Sequence, residues 1–213
     1  MTAEHDGLAF AAPRSGLDMR RFNPEAIAYY ETEGWRAYYD RDWLRAFGLM
    51  AHLVESQFRI PFPRSFLAVY HVIRASIAFV PKDHDLDIVG HHLERFYRIA
   101  AGANGDAFDP QAVAELELRY WVIHREMVDE TDKRALVESV AALHAALFGR
   151  SAAALWASAE SRVAAADAVD RITNHRSADP AEDWRLVEEH LRLAYRRVKE
   201  ALGQFIDAPS PTP

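Results

Sequence analysis

The residues best suited to chemistry in this sequence are a histidine and an arginine set into an otherwise nonpolar run. Residues 66–80 read FLAVYHVIRASIAFV, in which His71 and Arg74 stand three positions apart. In a helix, this spacing places both side chains on one face. Because a guanidinium keeps its proton, a buried Arg74 requires an anionic side chain or ligand beside it. The run therefore predicts a paired charge in the protein interior.

A second set of polar residues lies in the stretch AVAELELRYWVIHREMV, which begins at residue 112. Glu117, Trp121 and His124 follow one another there at helical spacing. Two interpretations stay open. Arg74 either pairs with Glu117 in a structural network, or it lines a pocket for an anionic or carbonyl ligand. The predicted site is either a ligand-binding pocket or a buried polar network, and its residues are His71, Arg74, Glu117, Trp121, His124 and Tyr39. Tyr39 comes from an aromatic-rich segment. No catalytic residue is assigned.

A metal site is the other chemistry that the sequence raises. Its candidate ligands for iron or manganese are Asp87, His91, Glu94, Glu117 and His124. Helical proteins that bind two irons usually supply Glu-x-x-His pairs from two of their helices, and the predicted core helices carry no such pair. Asp87, His91 and Glu94 also fit a solvated, charged helix face. We therefore rank metal binding below the ligand or network interpretation.

Composition excludes several classes of protein. The chain of 213 residues has no cysteine, which excludes iron–sulfur clusters and covalently attached haem c. The net charge of -7 argues against binding to nucleic acid, and no nucleotide-binding motif occurs. The N-terminus lacks the pattern of a signal peptide, and the apolar run is shorter than the roughly 20 residues of a membrane span. We therefore expect a cytoplasmic protein without a membrane span.

The elements that must position these residues are helices. Helix starts are marked by Asn23-Pro24, Asp109-Pro110 and Asp179-Pro180, and no segment alternates with the period of a strand. The pattern predicts a single compact all-α bundle of about eight helices, in which the helices over 66–80 and 110–128 are fully buried at the centre. We assign residues 23–205 to this domain, residues 1–22 to a mobile segment and residues 206–213 to a disordered tail.

These observations lead to three hypotheses about function. The first is a helical protein that binds a small ligand or a protein partner, with a buried Arg/His/Glu network at its centre. The second is a metal-dependent oxidoreductase of the carboxylate-bridged di-iron type, for which Glu31 or Glu33 is a further candidate ligand. The third is a structural or assembly subunit, for which a homo-oligomer is one arrangement. The sequence leaves open whether the protein is an enzyme, because no stretch matches a catalytic motif.

Overall fold

The computed structural model describes residues 18–83 and 85–203, and within them the chain folds entirely into helices joined by turns. The predicted all-α class and the number of helices are confirmed for this part of the chain. Eight helices are formed: α1 (Pro24–Tyr39), α2 (Trp43–Phe58), α3 (Arg64–Phe79), α4 (Leu86–Ala103), α5 (Pro110–Glu126), α6 (Arg134–Phe148), α7 (Ala152–Thr173) and α8 (Pro180–Ala201).

Three helices, α1, α5 and α8, begin where the sequence places their N-caps. The side chains of Asn23, Asp109 and Asp179 each accept hydrogen bonds from the backbone N–H groups two and three positions ahead. A proline follows each of them at the first helical position, where its missing N–H costs no hydrogen bond. Asp42 caps α2 in the same way, accepting from the Arg45 N–H at 3.2 Å. These local signals set the helix boundaries.

The helices are arranged in a closed ring. Each helix packs on the next along the chain, and α8 returns to pack on α1. The contact between α7 and α8 is the most extensive, because α7 is rich in alanine and small side chains let a neighbouring helix approach closely. The contact between α2 and α3 is the smallest of those between consecutive helices. The ring brings α1, α4, α5, α7 and α8 around a common interior.

Residues just before α1 already belong to the core. Met19 and Phe22 are buried, so the described end of the segment 1–22 is part of the packed domain. The rest of that segment and the predicted tail 206–213 lie outside the described residues. None of the described helices is both long and apolar enough to cross a bilayer.

The two helices expected to be fully buried are not, and this part of the prediction was wrong. The ring gives every helix an outer face, and on α3 that face carries large exposed nonpolar side chains. The buried residues of α3 are small ones: Ser65, Ala68, Val69 and Ala75. On α5, Glu115 and Arg119 point to solvent. A nonpolar sequence was equated with burial, although burial depends on which neighbours the fold supplies.

Candidate functional site

The interior of the ring holds a buried ion pair between α7 and α1. Both guanidinium nitrogens of Arg162 donate to Glu31, at 2.7 Å to Oε1 and 3.1 Å to Oε2. The Tyr195 hydroxyl of α8 donates to the same carboxylate at 2.6 Å. The side chain of Arg162 is 17% exposed and that of Glu31 only 5%. This two-point pairing is the strongest geometry open to an arginine and a carboxylate.

Electrostatics keep this pair charged. Burial alone would lower the pKa of Arg162, but the Glu31 carboxylate overrides it and raises the pKa well above its usual value. Burial and the same carboxylate raise the pKa of Tyr195, so its hydroxyl stays protonated and available as a donor. Each oxygen of Glu31 therefore has a donor, and the pair is satisfied within the protein.

A second carboxylate, which is partly buried, lies on α5. Glu117 accepts hydrogen bonds on both oxygens, from the Trp121 indole Nε1 at 2.7 Å and from the Tyr97 hydroxyl of α4 at 3.0 Å. Burial raises the pKa of Glu117, against the opposing effects of the nearby Arg162 charge and of these two hydrogen bonds. The interaction of Tyr97 with Glu117 ties α4 to α5. We call the set Glu31, Tyr97, Glu117, Trp121, Arg162 and Tyr195 the interior network.

The predicted residues His124 and Tyr39 lie at the end of this interior. His124 of α5 contacts Asp170 of α7, with Nε2 and Oδ2 2.9 Å apart. Its ring stacks on Tyr120 with a centroid separation of 5.9 Å. Tyr39 is the last residue of α1 and is about half exposed, with its ring against Trp184. Both contacts join helices that pack around the ring interior.

A surface pocket of about 310 Å³ opens elsewhere, between α3 and α4. Its surface is mostly nonpolar, with three arginine side chains at its walls, and it includes one of the predicted site residues, His71. Its lining residues are Arg64, Leu67, His71, Arg95, Arg98, Ile99 and Gly102. We call it the α3–α4 pocket. At its wall, His71 Nδ1 lies 3.1 Å from Nδ1 of His92.

The α3–α4 pocket concentrates positive charge in an acidic protein. Arg64 and Arg95 make no ion pair with any residue of 18–83 or 85–203, whereas Arg98 is paired with Glu94. Partial burial, and then the positive groups around them, lower the pKa of both His71 and His92. Because the two Nδ1 atoms share one hydrogen bond, at least one ring offers a lone pair there and is neutral. The two unpaired guanidiniums remain available to an anion.

The structure separates residues that the sequence analysis had grouped together. Arg74 lies on the outer face of α3 and is exposed, so the expectation of a buried charge at this position was wrong. It has no contact with Glu117, whose two oxygens are already bound by Trp121 and Tyr97. The physical reason is that α3 presents its small residues inward and turns its bulky side to solvent.

The candidate metal ligands are likewise spread apart. Asp87 and His91 are exposed on α4, and Glu94 is held by Arg98. Glu117 and His124 serve the hydrogen bonds described above. Among the described residues, no group of three or more histidine, aspartate or glutamate side chains is placed to hold an ion.

Four members of the interior network were not among the predicted residues of the pocket or network: Glu31, Tyr97, Arg162 and Tyr195. A signal for Arg162 does exist. It falls on the same helical stripe as Leu155, Ala159 and Ala166, all of which are buried. A single arginine on a stripe of small and nonpolar residues points inward. The alanine-rich composition of α7 drew attention to packing and hid this charge.

Comparisons with known proteins identify no relative of this chain. No family model matches the chain, and neither a curated protein nor a solved structure does. Its function must therefore be inferred from the geometry alone.

Proposed function

We propose that this protein binds a small anionic ligand in the α3–α4 pocket, without catalysis. The observation that carries the proposal is the convergence of Arg64, Arg95 and Arg98 on one pocket, two of them without an ion-pair partner in the described chain. A guanidinium presents a planar fork of donors that matches a carboxylate or a phosphate. Leu67 and Ile99 add nonpolar surface, which suits a ligand with a short hydrocarbon part.

The interior network is the less suitable place for such a ligand. Its guanidinium, Arg162, is already bound at two points by Glu31. An incoming anion would have to displace this carboxylate and leave it buried without a partner, which is costly. The α3–α4 pocket requires no such exchange. The buried network at the centre therefore stabilises the fold, and the pocket at the surface binds the ligand.

The network supports the pocket by fixing α4. Tyr97 points inward from α4 and donates to Glu117, while Arg95 and Arg98 point outward from the same helix. A helix anchored on its inner face holds its outer side chains at a defined distance from the neighbouring helix. Arg64 and His71 of α3 complete the pocket from that neighbour. The ligand site is therefore built on rigid elements rather than on loops.

Isothermal titration of the purified protein with inorganic phosphate and with hexanoate tests the proposal. Substitution Arg95→Gln removes one charge from the pocket and keeps a side chain of similar length. Arg119→Gln is the matched control, because Arg119 is exposed on α5 and also has no ion-pair partner in the described residues. We expect Arg95→Gln to weaken binding at least about tenfold, or about 1.4 kcal/mol.

The control must bind as the unchanged protein does. Equal losses in the two variants would contradict the proposal, because they would show that only overall charge matters. Failure of the unchanged protein to bind either probe would also contradict it. Elemental analysis of protein purified without chelator tests the metal hypothesis separately: near-stoichiometric iron or manganese would favour the oxidoreductase over the binding protein.

A further inference from the structure

The outer face of α3 exposes an unusual amount of nonpolar surface. Tyr70 and Ile77 are separated by seven residues and lie on the same side of the helix as Arg74. Ile77 is 60% exposed. In the turn before α3, Phe62 is 68% exposed and lies against Phe66. We call the set Phe62, Phe66, Leu67, Tyr70, Arg74 and Ile77 the α3 face.

Another exposed helix surface of the protein is built differently. On α8 the outward side chains form ion pairs along the helix, as between Arg185 and Glu189 at 2.9 Å and between Arg192 and Glu188 at 2.6 Å. Such a surface is suited to water. The α3 face instead combines exposed aromatic and aliphatic side chains with one arginine. Contiguous exposed nonpolar surface of this kind marks a site of interaction.

Positive charge borders the α3 face. Arg64 stands at the start of α3, Arg74 within the face and Arg95 on the adjacent α4, and none of the three has an ion-pair partner in the described parts of the chain. His91 is also exposed on α4. On that helix Glu94 is held by Arg98, whereas Asp83, Asp85 and Asp87 are exposed in the turn after α3 and at the start of α4. The border is therefore basic beside Arg64, Arg74 and Arg95, although the whole chain carries a net charge of -7.

We infer that the α3 face docks onto a lipid bilayer that contains anionic lipids. A helix with a nonpolar face lies in the plane of the interface, with its apolar side chains at the boundary between headgroups and acyl chains. Phe62, Phe66 and Ile77 supply these side chains. The arginines of the border then reach the lipid phosphates, and each one near an anionic surface strengthens binding by about fivefold.

Charge decides between a bilayer and a second copy of this chain as the occupant. In a two-fold dimer the same patch meets itself, so the Arg74 side chains within the two α3 faces would be brought close together. Like charges brought together in this way oppose association. An anionic bilayer complements the same border. The charge pattern therefore favours the membrane surface over self-association.

This inference goes beyond the binding of a small anion in the α3–α4 pocket and does not depend on it. Phe62 and Ile77 do not line the pocket, so their substitution separates docking from ligand binding. Both are exposed, and replacing them removes no core contact. A titration with phosphate in the absence of lipid reports on the pocket alone. Each proposal can thus fail while the other stands.

Co-sedimentation of the full chain with vesicles tests the inference. Phosphatidylcholine vesicles with and without phosphatidylserine provide the two surfaces. We expect binding to the vesicles with phosphatidylserine, and a decrease when salt is added, because salt screens exposed charges. The double variant Phe62→Ser with Ile77→Ser should bind at least about tenfold more weakly, since two large nonpolar side chains no longer leave water.

A matched control and a second variant complete the experiment. Leu193→Ser removes an exposed leucine from α8, which packs on α1 and α7, and should leave vesicle binding unchanged. Arg74→Glu reverses a charge within the α3 face and should weaken binding about tenfold or more. Thermal melting checks that each variant is folded.

Three results would overturn the inference. The unchanged protein could remain in the supernatant with both kinds of vesicle. The double variant could bind as tightly as Leu193→Ser. Sedimentation velocity could reveal a concentration-dependent dimer that the double variant loses, without any vesicle binding. This last result would assign the α3 face to contact between copies of the chain.

Discussion

Arg74 of α3 and Arg162 of α7 each lack another charged side chain nearby on the same helix face. The two arginines nevertheless lie in opposite environments. Arg74 follows Tyr70, His71, Val72 and Ile73 and is exposed on the α3 face. Arg162 follows the segment ASAES, in which only Glu160 is large, and is bound at two points by Glu31 in the interior network. The more hydrophobic segment thus holds the solvated charge, and the alanine-rich one holds the buried charge.

The difference lies in which side of each helix the ring covers. On α3, small residues such as Ala68 and Ala75 face inward, so the bulky residues are left outside. On α7, small residues let α6 and α8 approach closely on either side, so the side chain of Arg162 points into the interior. Burial of a charge is therefore decided by the size of its neighbours and by the partner helices, not by mean hydropathy.

The largest effect is expected for Arg162→Leu. This change leaves Glu31 buried without its cation and should lower the free energy of unfolding by about 3–5 kcal/mol. Urea denaturation at pH 7 measures it, with Glu31→Gln as a second variant that breaks the same pair from the other side. A loss below about 1 kcal/mol in both variants would mean that the interior network does not hold the ring together.

The sequence predicted the helices well because their signals are local. Asn or Asp before proline sets a helix start whatever the rest of the chain does, and the three predicted starts are confirmed. The stripe on α5 also led to Glu117 and Trp121, which contact each other within one helix at four residues' separation. Both features depend on short distances along the chain.

Contacts between distant segments were not predictable in the same way. Glu31 and Arg162 are 131 residues apart, and Tyr195 joins them from a third helix. No spacing rule links such positions in a single sequence. Helical spacing alone suggested Glu117 as one candidate partner of Arg74, whereas Glu117 is in fact bound to Tyr97 and Trp121. The inward direction of Arg162 could be read from its helical stripe, but its pairing with Glu31 could not.

An intermediate loss of stability is expected when the pH is lowered. It arises from a buried histidine, in contrast to the histidines at the surface. His144 of α6 is buried, with Nδ1 3.2 Å from the Ser158 hydroxyl. Burial, and then the charge of Arg162, lower its pKa to about 3. The folded protein thus resists protonation that the unfolded chain accepts below about pH 6.5. The stabilising contribution of neutral His144 is present above that pH and is lost as pH falls towards 3.

Between pH 7 and pH 5 this linkage should remove about 2 kcal/mol from the free energy of unfolding. Urea denaturation of the unchanged protein and of His144→Gln at both pH values measures it. The variant lacks the titrating group, so its loss on acidification should be smaller by that amount. His71 and His92 titrate in both proteins and cancel in the difference. Equal losses of stability in the two proteins would show that His144 has the same pKa in the folded and the unfolded state.

The smallest effect is expected for Arg74→Leu, which completes the comparison with Arg162→Leu. An exposed arginine without an ion-pair partner among the described residues contributes little to folding, so the free energy of unfolding should change by no more than about 0.5 kcal/mol. The charge still acts on its surroundings, because Arg74 is one of the groups that lower the pKa of His92, after burial and His91. The pKa of His92, followed by NMR titration, should therefore rise in the variant. A loss of several kcal/mol would instead place Arg74 among the buried, paired charges and remove the contrast between α3 and α7.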